Sequence, residues 1–149
     1  MKRFSLCVIA VLAGLMLFGS TQASAQKKAK KSLVAWAAED IKWEPMQGGP
    51  PGVMSAMLWG DQTKGAYGAL TKFPAGFKAP LHYHTNEMRV VVVKGAYVYK
   101  GKPYGPGSYL FIPGGDQHYS GGLDSSETIF FIEQPGKFDI NPIEAPPAK

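Results

Sequence analysis

His82, His84 and His118 are the only histidines in the chain. The first two stand one residue apart within residues 76–95, GFKAPLHYHTNEMRVVVVKG. Side chains alternate faces along an extended strand, so these two rings point the same way. Two imidazoles on one face, ahead of the apolar run Val90-Val91-Val92-Val93, have the form of half a metal site. The third lies 34 residues after His84, at the end of Pro113-Gly114-Gly115-Asp116-Gln117-His118. Imidazole accepts several first-row metals, so the set predicts a divalent transition metal (Zn, Fe, Mn, Ni or Cu) without choosing among them. The plainer alternative is a relic cluster whose rings bond each other, water or Asn86.

The elements that must position these rings read as short strands. Residues 32–36 (SLVAW) are an apolar run expected to form a first strand. Residues 45–52 (PMQGGPPG) are too rich in Pro and Gly for regular structure. Strands are expected at 53–59, 66–73, through the two-histidine stretch, and at 96–100. The last of these is expected to pair back across a Lys94-Gly95 turn. Further strands are expected at 108–112, 117–120 and 127–133, with a loop at 101–107. Turn signals recur along the chain and no long helical period appears, which predicts an all-β sandwich or barrel. The Gly-rich stretches do not open helices, so no dinucleotide or phosphate loop is expected.

The 149 residues suit one domain. The formal charge of +5 comes from the N-terminal end, where Lys2, Arg3, Lys27, Lys28, Lys30 and Lys31 lie. The 10 basic residues beyond them face 11 acidic ones, a balance of −1. That balance excludes a basic nucleic-acid surface on the folded part. Residues 1–25 have the form of a signal peptide: Lys2-Arg3, an apolar stretch of 13 residues over 6–18, and Ala23-Ser24-Ala25 as the cleavage site. Cleavage would remove Cys7, the only cysteine, and leave a periplasmic or secreted protein with no disulfide and no membrane attachment. The expected organisation is a leader at 1–25, a basic linker at 26–32, the β domain at 33–140 and a Pro-rich tail at 141–149.

The residues now match a known pattern. The chain resembles the cupin superfamily of small jelly-roll β-barrels. Gly76, His82, His84 and Gly95 fall in register with the first cupin motif, and Gly107, Pro113, Gly115 and His118 with the second. Gly122 stands where the second motif carries Asn. The motifs cover residues 76–122, and the flanking strands suit a single cupin-type double-stranded β-helix. The run from Trp59 to Thr85 resembles a group of small cupins of unknown function. The resemblance implies a metal at His82, His84 and His118, and makes oxygenase chemistry the first guess. It also implies a candidate homodimer, for which residues 32–36 could extend a neighbour's sheet.

One departure bears on the chemistry. The cupin glutamate position is Met88, and Glu87 comes one residue early. Alternation puts residues 82, 84, 86 and 88 on the inner face and Glu87 on the outer, unless a bulge turns it in. Three neutral imidazoles without a carboxylate leave a divalent ion at +2, which favours an anionic ligand such as a carboxylate or an enolate. The catalytic acid or base is unknown from sequence. Trp59, Tyr97, Tyr99 and Phe111 are candidate cavity aromatics. Three functions remain open: a metal enzyme acting on a small anionic or enolisable molecule, a non-catalytic binder of a small molecule or metal, and a decayed site.

Overall fold

Residues 32–144 are described by the computed structural model; the expected leader, nearly all of the linker and the last residues of the tail lie outside the described residues. A short 3-10 turn at Ala38–Asp40 precedes the strands. They are β1 (Glu44–Pro45), β2 (Met54–Gly60), β3 (Tyr67–Phe73), β4 (Lys78–Tyr83), β5 (Met88–Lys94) and β6 (Tyr97–Tyr99). β7 (Lys102–Tyr104), β8 (Tyr109–Ile112), β9 (His118–Gly121), β10 (Thr128–Gln134) and β11 (Asn141–Pro142) follow. Two antiparallel sheets form a jelly-roll sandwich. One has the order β1-β2-β3-β10-β5-β8 and the other β11-β4-β9-β6-β7.

Period-two patterning decides which side chains meet between the sheets. Along β5, Met88, Val90 and Val92 are buried while Val91 and Val93 are 37% and 52% exposed. Tyr67, Ala69 and Phe73 of β3 and Phe130 and Ile132 of β10 join them in one core. Each fully buried Val or Phe contributes about 1.5–3 kcal/mol. The core thus needs neither a disulfide nor a long helix. Phe73, Tyr97 and Phe130 pack edge-on or stacked, with ring centroids 4.9–6.0 Å apart.

Four expectations about elements need correction. The stretch 76–95 is two strands rather than one. β4 ends at Tyr83 in the smaller sheet and β5 begins at Met88 in the larger. Polar residues drive the break: Thr85 N–H donates to the Asp139 carboxylate at 2.9 Å, and the His84 carbonyl accepts from Gly115 N–H at 2.8 Å. Residues 96–100 do not pair back on the histidine stretch; β6 pairs with β7 and β9. At the intervening corner Gly95 has φ +70, and a Cβ there would lie 2.5 Å from the Glu127 carbonyl oxygen. Only glycine fits that close, left-handed turn, which carries the chain across to the other sheet. Residues 32–36 are irregular rather than a first strand; the first strand is β1, which pairs with β2. Pro45 is tolerated there because an edge residue need not donate on its outer side. The loop expected at 101–107 contains β7, and β11 adds an edge strand to β4 that no sequence signal marked.

Candidate metal centre

The smaller sheet brings the three histidines together. His82 and His118 are directly paired across β4 and β9, and His84 follows the end of β4. Ring centroids lie 4.4 Å apart for His82 and His118, 5.0 Å for His82 and His84, and 5.6 Å for His84 and His118. All three are buried, and one ring nitrogen from each falls within 4.8 Å of the others.

Each ring is held by its other nitrogen. Nδ1 of His82 meets the Pro80 carbonyl at 2.6 Å, Nδ1 of His118 meets the Asp116 carbonyl at 2.9 Å, and Nδ1 of His84 meets the Asp139 carbonyl. A carbonyl only accepts, so Nδ1 must carry the proton in every ring and Nε2 is left with its lone pair. Such bonds orient ligating histidines and fix their tautomer. His118 Nε2 is buried with no protein partner. Burial holds the His84 imidazole down at about 4, against the opposing pull of the Asp139 carbonyl. Burial likewise holds His118 below the usual histidine range. Neutral rings, converging lone pairs and an orphaned nitrogen fit a transition-metal ion.

Around this trio the supports differ. The Asp116 carboxylate accepts from the Tyr99 hydroxyl and from Lys100 Nζ at 2.9 Å, and lies 3.6 Å from His118 Nδ1. Burial works against that carboxylate, but the Tyr99 and Lys100 bonds outweigh it and hold it below its ordinary range. Tyr99 also lays its ring 5.0 Å from that of His118. On the other side, Phe138 packs 5.6 Å from His84, ring to ring.

The remaining sequence candidates divide. Met88 is 2% exposed and lines the same cavity as His82 and His84, so a thioether occupies the inner face at the cupin glutamate position. Glu87 stays out of the cluster and pairs with Arg89 at 2.7 Å. Asn86 is not on the inner face, because residues 84–87 leave the strand; it donates to the Lys137 carbonyl at 3.1 Å. Tyr97 lines the cavity. Trp59 and Phe111 do not, being 44% and 49% exposed on the outer surface. Gly122 has a steric reason to depart from the motif's Asn: a Cβ there would meet Thr128 Oγ1 at 2.9 Å. Sequence reasoning missed Asp116, Phe138 and Asp139. Asp116 had a signal, its place two residues before His118; Phe138 and Asp139 had none.

Comparison with known proteins agrees with this geometry. The family model matching residues 31–137 is described as the ChrR cupin-like domain. No curated protein matches the chain. An RmlC-like cupin from Ralstonia eutropha superposes with a TM-score of 0.59 at 24% identity, covering 72% of this chain and 69% of that one. The polyketide cyclase RemF from Streptomyces resistomycificus gives 0.63 at 18% identity, covering 78% and 89%. A chain from the Rhodobacter sphaeroides complex of SigE with the anti-sigma ChrR gives 0.52 at 23% identity, covering 66% and 50%. At such identities the likeness to solved structures is one of fold. The family match runs through both histidine motifs and most of the chain, and on that ground the chain belongs to the ChrR cupin-like domain family.

Proposed function

We propose that His82, His84 and His118 bind a divalent transition metal, and that the chain acts there on a small anionic or enolisable molecule, with oxygenase chemistry as the first reading. One observation carries this: three buried imidazoles converge with every Nδ1 occupied by a carbonyl and every Nε2 left free to ligate. Bound there, such an ion would supply a Lewis acid whose +2 charge no carboxylate in the cluster offsets, with dioxygen as the co-reactant of the oxygenase reading. The chain's own part is to orient the rings and to enclose the ligand. Phe138 covers His84, and the apolar walls exclude water, which strengthens the attraction between an anion and the centre. The signal-peptide pattern of residues 1–25 supports action in the periplasm or outside the cell.

A second reading, a binder without turnover, is favoured by one observation. Among the described residues the histidine cluster includes no carboxylate, and Glu87 is engaged by Arg89. Among the described residues no carboxylate therefore joins the cluster as a general acid or base.

Metal content by mass spectrometry tests the core of the proposal, using protein purified without a histidine tag beside His82→Ala. Near-stoichiometric metal that disappears in the variant supports the centre. Little metal in either protein after exposure to Zn, Fe, Mn, Ni and Cu overturns it. Oxygen uptake by the loaded protein with small carboxylates and diketones then separates the readings, since a binder shows a thermal shift and no consumption.

A further inference from the structure

The cavity beside the histidines is small and mostly apolar. It has a volume of about 40 Å³ and is walled by side chains such as Val53, Phe73, Met88, Phe130 and Ile132, with His82 and His84 among its lining. One water-sized group needs roughly 10–15 Å³ by this measure, so the space suits a ligand of a few heavy atoms and not a sugar or nucleotide.

One wall residue does not belong in such a lining. Thr71, on the inner face of β3, is 2% exposed, and its Oγ1 has no protein partner. Of the other buried hydroxyls, Thr128 Oγ1 donates to the Ala96 carbonyl at 3.0 Å, while Tyr97 and Ser120 stand in the same lining. Four buried side-chain polar atoms lack a partner among the described residues, on Gln62, Thr71, His118 and Gln134. Of these residues only Thr71 lines the cavity. A buried hydroxyl without a partner costs stability, and valine has the same shape without that cost. Folding alone would be served as well or better by Val at this position.

We infer that the Thr71 hydroxyl is the ligand-recognition group of the cavity, and that the ligand is a short, largely apolar acid bearing a second oxygen, such as an oxo- or hydroxy-acid. Its carboxylate faces the histidine cluster, its carbon chain fills the apolar walls, and its second oxygen pairs with Thr71 Oγ1. This rests on the metal reading above, because the carboxylate needs the uncompensated charge at the histidines.

The test compares butanoate with 2-oxobutanoate and 2-hydroxybutanoate on the zinc-loaded protein, by calorimetry, for wild type and Thr71→Val. The wild type should bind the oxygen-bearing acids about tenfold more tightly than butanoate, the worth of one buried hydrogen bond. In Thr71→Val that preference should vanish, butanoate binding should hold, and the melting temperature should stay level or rise. A preference that survives in Thr71→Val overturns the inference, as does a wild type that takes up zinc yet treats the three acids alike. A fall in melting temperature without loss of preference assigns the hydroxyl a structural role and also overturns it. Failure to take up zinc at all would instead sink the metal reading beneath it.

Discussion

The histidine cluster has two supports, and they are built differently. His118 is held from within its own turn: its Nδ1 donates to the carbonyl of Asp116, two residues earlier, and the Asp116 side chain ties in Tyr99 and Lys100. His84 is held from far away, by the carbonyl of Asp139, with Phe138 against its ring. The first support is a local motif with a charged brace. The second is a returning segment that also caps the sandwich. Local support survives partial opening of the fold, whereas distant support exists only when the whole sandwich is closed. His84 should therefore report on global folding, and His118 on its turn.

Acid gives the largest test of that contrast. The unfolded chain protonates histidine near 6.5, whereas buried His84 resists protonation down to about 4. Above 6.5 both states are neutral and the stability is fully present. As pH falls through 6.5 the unfolded chain takes up its proton first, so stability drops until the folded ring also protonates near 4. A gap of that size corresponds to about 3 kcal/mol. His118 is shifted in the same direction and adds to the loss. Urea midpoints of the metal-free protein measured from pH 7.5 to 4 should show this decline, and His84→Asn should flatten it by about that amount. A flat wild-type profile would mean that the rings are solvated in the folded state and that the segment at 135–144 does not seal the site.

The brace at Asp116 comes next. Asp116→Ala leaves the backbone carbonyl that holds His118 in place, but frees the Tyr99 hydroxyl and the Lys100 ammonium. Lys100 is also the one described non-glycine residue with positive φ, at 48°, a conformation its ion pair helps to hold. The expected cost is about 2 kcal/mol for two bonds to a charged group, one of them partly exposed. Metal affinity should fall about tenfold, since groups that orient a ligating histidine carry effects of that order. Stability from urea unfolding and affinity from chelator competition check the two halves separately. An affinity that does not move would show that the carbonyl alone positions His118.

The same contrast explains what could be read in advance. His82, His84 and His118 were legible because strand alternation and fixed motif spacing are local, and the two-sheet fold was legible because the alternation recurs strand after strand. Counting faces failed where the chain left the strand: it carried Asn86 inward, although residues 84–86 turn out to bond the 135–144 segment. It also placed Trp59 inward, although a register shift between Met57 and Trp59 displaces it. The hairpin across Gly95 failed for a related reason. A Lys-Gly turn has the same local signature whether the chain folds back or crosses to the other sheet, and the obstacle that decides it, the Glu127 carbonyl, is 32 residues on. Asp139 acts on His84 through its backbone, and a backbone carbonyl leaves no trace in residue identity.

That last point sets the smallest test and the sharpest one. Asp139→Ala keeps the carbonyl that receives His84 Nδ1 and removes only the carboxylate that accepts from Thr85 N–H at 2.9 Å. Thr85 is exposed, so water can replace the lost acceptor, and the cost should be no more than about 1 kcal/mol. Metal affinity should change less than in Asp116→Ala, by about twofold or under, because nothing that orients a ring has been taken away. The two aspartates flank the same centre, and each gives a carbonyl to one imidazole. If chelator competition finds Asp139→Ala as damaging as Asp116→Ala, the difference between a side-chain brace and a backbone clasp does not hold. The 135–144 segment would then position His84 through the Asp139–Thr85 contact, and its side chains would matter as much as those of the 113–118 turn.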